Sequence, residues 1–292
     1  MMKIVFVLLL STIVAIFQLQ GQNYRDASSS QRLSFALHLY HIGDTETALY
    51  VLHSIETEGA SATIADSVNF IKGRILFHKK RFEQAVSQFQ IVDKSSELQP
   101  YAVFYGALSS SYIGDYESSI NFLRLLDCSQ QKYTGLESVM LAGIALLNRD
   151  FTTFDNQSAG FDFRQLSLAE SQKGLMAQAR FTREVKLVRP LTAGLLSTVI
   201  PGAGKIYAGK TGEGVAAFVT VAVLGLITWE NYRKGGIEHP GTLLSGAGFA
   251  LYYVGNIWGS VFAAKRRNDE LNKHINENIL LDMHIAVRNH FD

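Results

Sequence analysis

Gly114-Asp115-Tyr116-Glu117-Ser118-Ser119-Ile120 is the stretch on which the fold depends. Read as the turn between two paired helices and the start of the second helix, it has counterparts on both sides. Gly43-Asp44 precedes Glu46-Thr47-Ala48-Leu49, Lys80-Arg81-Phe82 precedes Glu83-Gln84-Ala85-Val86, and Arg149-Asp150-Phe151 follows at the same interval. The four turns lie 37, 34 and 35 residues apart. A period near that value, with a small residue where the second helix meets the first, predicts helical hairpins stacked as a solenoid.

Outward from these turns, Ala36, Gly73, Ala107 and Ala142 fall at an early small position of each first helix. Leu52, Phe89 and Leu123 fall at a later large position of each second helix. Over residues 30–155 the pattern resembles the tetratricopeptide repeat. It does so closely in three repeats and loosely in the fourth, where Phe154 takes the small position and could mark a cap. The resemblance implies an all-α solenoid whose first helices line a groove that holds a protein or peptide segment. By register, Leu33, Leu37, Tyr40 and His41 face outward in repeat one, and Phe70, Arg74, Phe77 and His78 in repeat two. Repeat three supplies Tyr101, Tyr105, Ser109 and Tyr112. Such a face suits stacking and hydrogen bonding, and packing against the neighbouring repeat is the competing use of each residue. Residues 161–189, with Leu166, Leu168, Leu175 and Val185 amid charges, predict a connecting helix.

The next region differs in kind. Pro190–Gly204, Val215–Trp229 and Thr242–Ala264 carry no charge, and the last of them is 23 residues long. A helix rising 1.5 Å per residue needs about 20 residues to cross about 30 Å of hydrocarbon, so the third stretch predicts a span and the second a near span. The first is short and ends in Pro201-Gly202, so two or three embedded helices are expected over 190–264. Lys205, Lys210 and Lys265-Arg266-Arg267 flank the last two stretches, against Arg233 and Lys234 between them. The bias of basic residues places those flanks in the cytoplasm, which agrees with an exported repeat region only if the first stretch also crosses.

Gly204 to Thr211 spells G-x-x-x-x-G-K-[ST], the phosphate-cradling string. That chemistry needs a strand before the loop and a helix after it, and the surroundings predict helices on both sides. The same residues also read as Pro201-Gly202-x-Gly204-x-x-Tyr207-x-Gly209, with Gly214 following. This resembles the glycine turn of small bacterial domains that join two transmembrane helices, with Lys205 where that family commonly carries Gln. The resemblance implies membrane location and little chemistry.

Residues 1–22, with Lys3 ahead of an apolar run from Ile4 to Phe17, predict a signal peptide or an uncleaved anchor. Residues 265–292 place Leu271, Ile275, Ile279, Met283 and Val287 at helical spacing and predict an amphipathic helix for a membrane or partner. A formal net charge of +1, without a basic stripe, argues against nucleic acid. Scattered histidines and a single cysteine, Cys128, argue against a metal site and against an internal disulfide. No catalytic constellation or cofactor site emerges. The expectation is a non-enzymatic scaffold at the bacterial inner membrane, its repeats exported. The alternatives are a subunit of a transport, secretion or insertion machine and, more remotely, a nucleotide hydrolase.

Overall fold

The structure is a computed structural model and describes residues 28–291 apart from 56, 58, 59 and 127–130. Residues 1–22, predicted as a signal peptide or anchor, and Cys128 lie outside the described residues. The fold is all-α: thirteen helices, one short 3-10 turn and no strand among the described residues. They are α1 (28–41), α2 (Thr45–His53), α3 (Ala62–His78), α4 (Phe82–Ile91), α5 (Gln99–Tyr112), α6 (Tyr116–Leu123) and α7 (Thr134–Leu147). After these come α8 (Phe151–Ser158), α9 (Leu166–Glu184), α10 (Pro190–Val199), α11 (Ala203–Tyr207), α12 (Thr211–Gly235) and α13 (Pro240–Phe291). The chain forms two compact units, one of residues up to Ala179 together with Ile279 onward, the other Arg180–Asn278.

In the first unit, the four aligned turns share one backbone solution. Gly43, Lys80, Gly114 and Arg149 all adopt positive φ, between 59° and 87°. In each, the next amide reaches back to the last helical turn: Asp44 to Leu39 O, Arg81 to Leu76 O, Asp115 to Ser110 O and Asp150 to Ala145 O, at 2.8–2.9 Å. This is the Schellman stop, which ends one helix by satisfying its last carbonyls. Three of the four then start the next helix with an aspartate cap: Asp44 accepts from Thr47 N, Asp115 from Ser118 N and Asp150 from Thr153 N. Arg81 offers no such side chain. Lys80 and Arg149 lack glycine's freedom at positive φ. Their helices are held by packing as well as by the turn.

The small positions are close-approach points. A Cβ on Gly73 would sit 2.6 Å from the Phe89 ring, and one on Gly106 would sit 2.5 Å from that of Phe122. In repeat three the glycine–phenylalanine contact therefore falls one residue ahead of Ala107 and Leu123, both of which are buried too. Ala48, Ala85 and Ser119 are fully buried, and Phe154 fills the same place in the fourth repeat. The first pair closes over Ala36, Leu39, Leu52, Ile55, Val68, Ile71 and Ile75. Residues 102–111 of α5 are all buried.

The second unit is built on its glycine turn. Gly202 caps α11 with φ 84°, and a Cβ there would run into the Gly214 carbonyl oxygen. Gly204 packs against the Ala193 carbonyl, and its amide donates to Ser197 Oγ at 2.9 Å. Ser197 Oγ lies 2.7 Å from Ser260 Oγ, which ties α10 to α13. Asn268 pairs with both the amide and the carbonyl of Val188, at 3.0 and 2.7 Å.

Among the described residues one helix, α12, is long and apolar enough to cross a membrane. The third uncharged stretch is helical throughout, but Asn256, Tyr252, Tyr253 and four glycines dilute its apolarity. Helix α10 has 10 residues. At 1.5 Å per residue that is about 15 Å, half a hydrocarbon core.

Candidate functional site

The predicted face is carried by three first helices. Helix α3 places Phe70, Arg74, Phe77 and His78 at helical spacing, α5 places Tyr101, Tyr105, Ser109 and Tyr112, and α1 ends in Tyr40 and His41. Side chains of this set meet one another. The Arg74 guanidinium carbon stands 4.2 Å from the centre of the Tyr105 ring and 6.0 Å from that of Phe70. Phe70 meets Tyr101 edge-on at 6.0 Å, and Phe77 meets Tyr105 at 5.4 Å. Tyr40 and His78 rings are 6.2 Å apart.

Exposure divides the set. Phe77, Tyr105 and Ser109 are buried, and the Ser109 hydroxyl donates to the Tyr105 carbonyl within its own helix at 2.6 Å. Tyr40, Phe70, Arg74 and Tyr101 are half-buried, while His41 and His78 are exposed. The open part of the face is thus its Tyr40-His41-His78 end. Tyr112 is half-buried under a stacked Phe82 ring at 4.4 Å, and burial pushes its hydroxyl pKa up.

The end of α13 packs on the same helices. Ile279, Met283, Ala286 and Val287 are completely buried within the first unit. A Cβ on Gly143 of α7 would lie 2.5 Å from Met283 Cγ and Sδ, so the glycine forms the notch that Met283 fills. The His284 ring sits 5.3 Å from Phe77, with its Nδ1 3.4 Å from the Tyr112 hydroxyl. Phe291 lies 4.4 Å from Tyr101, 5.6 Å from Phe104 and 6.0 Å from Tyr133. On α9, Gly174 leaves room for the Asp282 carboxylate. Burial, with Glu170 nearby, pushes the Asp282 pKa up to about 6. Burial and then Lys132 hold the His290 pKa down.

The sequence predicts this segment to be an amphipathic helix for a membrane or partner, and the structure packs its end on the chain's own first unit. The stripe Ile279, Met283 and Val287 was visible, but its target was not, because periodicity gives a helix its apolar face and not its neighbour. The segment is also not a separate helix: α13 runs unbroken from Pro240 to Phe291.

In the second unit the turn residues converge. Gly202, Gly204 and Gly214 are buried, Pro201 is half-buried, and Tyr207 and Gly209 are exposed. Gly209, φ 81°, repeats the helix stop of the first unit: the Lys210 amide reaches back to Lys205 O at 2.8 Å. Lys210 then caps α12. The string Gly204–Thr211 is therefore a short helix, a stop and a helix start, with Gly204 committed to packing on α10. Among the described residues no group of His, Cys, Asp and Glu has the grouping of a metal site. No protein-family model, curated protein or solved structure matches the chain.

Proposed function

We propose that the protein is a non-enzymatic, membrane-anchored interaction scaffold of the bacterial inner membrane. Its helical repeats, of tetratricopeptide type, stand on the exported side and recruit a protein or peptide segment, while residues 190–264 hold them at the lipid. The observation that carries this reading is the outward apolar surface of the second unit. Leu244 and Leu251 are 80% and 77% exposed, and Leu226, Trp229, Trp258 and Phe262 are 60% to 68% exposed. A water-soluble protein rarely holds so many large apolar side chains open to solvent, and lipid is the solvent that suits them.

Two measurements on isolated membranes test the proposal. Alkaline washing of membranes leaves the full chain in the pellet; release into the wash removes the anchor. Crosslinking the full chain in membranes captures a partner that is lost on Tyr40→Ala/His41→Ala, the exposed end of the face. Partners lost instead on Gly202→Val, with the repeats folded, place the working surface in the membrane unit and favour a transport or insertion role.

A further inference from the structure

We infer that the C-terminal segment Ile279–Phe291 is a displaceable internal ligand of the repeat unit, and that it competes for its seat with an external amphipathic helix. That helix carries apolar residues at i, i+4, i+7 and i+8 and an aromatic ring at i+12, the spacing of Ile279, Met283, Ala286, Val287 and Phe291. The inference rests on the recruitment reading above and names the class of partner for it.

Three observations carry it. First, the seat is the face that the repeat register assigns to partners: His284 meets Phe77 and Phe291 meets Tyr101, both on that face. Second, the seat is shaped for side chains of a helix. Gly143 opens a notch for Met283, Gly174 makes room at Asp282, and Tyr101, Phe104 and Tyr133 form a three-sided aromatic socket for Phe291. Third, the segment brings polar groups that a permanent core helix would have no use for. Asp282 sets a half-buried carboxylate against Gly174, and His290 Nε2 is buried with no hydrogen-bond partner. Such groups weaken cis docking relative to an all-apolar helix of the same shape, so a partner lacking them has the advantage. An occupied seat lowers the apparent affinity of any external helix by the fraction of time it is open.

The test uses the full chain in detergent and a fluorescent peptide of residues 276–292. Hydrogen exchange on the unaltered protein comes first. The amides of 279–291 are expected to exchange faster than those of α5, by local release, and faster still when excess peptide takes the seat and holds the cis segment off. Exchange of the segment only in step with α5 overturns the inference, because the segment is then permanent core. Val287→Asp is expected to loosen the cis segment and raise peptide affinity by about tenfold or more. A folded Val287→Asp protein that binds peptide no better than the unaltered chain also overturns it. Neither readout involves a cellular partner. Loss of the recruitment reading through the crosslinking test therefore leaves the exchange result intact, and lock-step exchange leaves recruitment through the Tyr40-His41-His78 end standing.

Discussion

Helices α5 and α12 are both rich in apolar residues, and they end in opposite environments. In α5, twelve of the 14 residues from Gln99 to Tyr112 are buried, because neighbouring helices cover it on several sides. In α12, only Gly214, Ala217 and Val221 are buried out of 25 residues. Those three, spaced by three and four, form a narrow seam of small side chains. Most of its large apolar side chains, among them Val215, Phe218, Val219, Val223, Leu226, Ile227 and Trp229, are exposed. Apolarity alone therefore does not separate a covered helix from an open one. The number of apolar partners within reach does, and this is fixed by turns and close-approach glycines.

The comparison breaks most directly at the seam. Gly202→Val puts a branched side chain at positive φ and drives it into the Gly214 carbonyl. Left-handed strain and overpacking together are expected to destabilise the second unit by about 3–5 kcal/mol. The first unit should keep its own unfolding transition. Differential scanning calorimetry in detergent reads both, and an unchanged melt would mean that the turn does not organise the unit.

Matched leucines sharpen the contrast. Leu108→Ala empties a fully buried site in α5 and is expected to lower stability by about 3 kcal/mol. Leu226→Ala, at a site 68% exposed, is expected to stay within about 0.5 kcal/mol. Leu226→Arg should instead weaken membrane insertion by about 3 kcal/mol, read in a glycosylation or alkaline-wash assay. Equal effects of the two alanine variants would put α12 in a core.

Much of the first unit was legible because its signals are local. The four turns could be aligned from Gly, Lys and Arg positions before Asp, Arg and Asp, and each carries positive φ where the alignment puts it. Helical composition, the small positions and the fourth-repeat exception at Phe154 were readable for the same reason. The seat of Ile279–Phe291 was not, since it joins residues separated by the entire second unit, such as Tyr112 and His284. Of the buried members of the face, Phe77 and Tyr105 pack on each other and on the Phe82 and Phe89 rings, and Ser109 bonds within its own helix, which is the competing use that register alone leaves open. In the second unit the glycines were legible as close-approach points. The short α10 was legible as well, since Pro201 forces Ile200 into an extended backbone that ends the helix at Val199.

A smaller effect concerns the seat of the tail. The pKa of Asp282 is raised above its ordinary 3.8 to about 6 in the docked state, so ionisation opposes docking. Its support is complete below about pH 4 and is lost as pH rises through about 6. His290 acts in the opposite sense. Its lowered pKa favours docking above its ordinary 6.5, and that support is lost as pH falls through the lowered value. Asp282→Asn imitates the protonated acid. The variant should melt higher than the parent at pH 7.5 and equally at pH 4. Parallel melting curves at both pH values would mean that water reaches the carboxylate freely.

The smallest effect belongs to the ion pair of Lys79 and Glu46, which links α2 to the end of α3. The hydrogen bond and charge of Lys79 hold the Glu46 pKa below its ordinary value, so any stabilisation is present above pH 4.5 and lost as pH falls through the lowered value. Yet the Glu46 side chain is 80% exposed, and water and salt screen such a pair almost completely. The first helices are instead joined by the buried cluster that includes Leu52, Ile55, Val68 and Ile71, of which Leu52 and Val68 are completely buried. Glu46→Gln should therefore leave the melting temperature within about 1 °C in low and high salt alike. A drop of several degrees that salt abolishes would move part of the cohesion of the first unit from its buried apolar contacts to its surface charges.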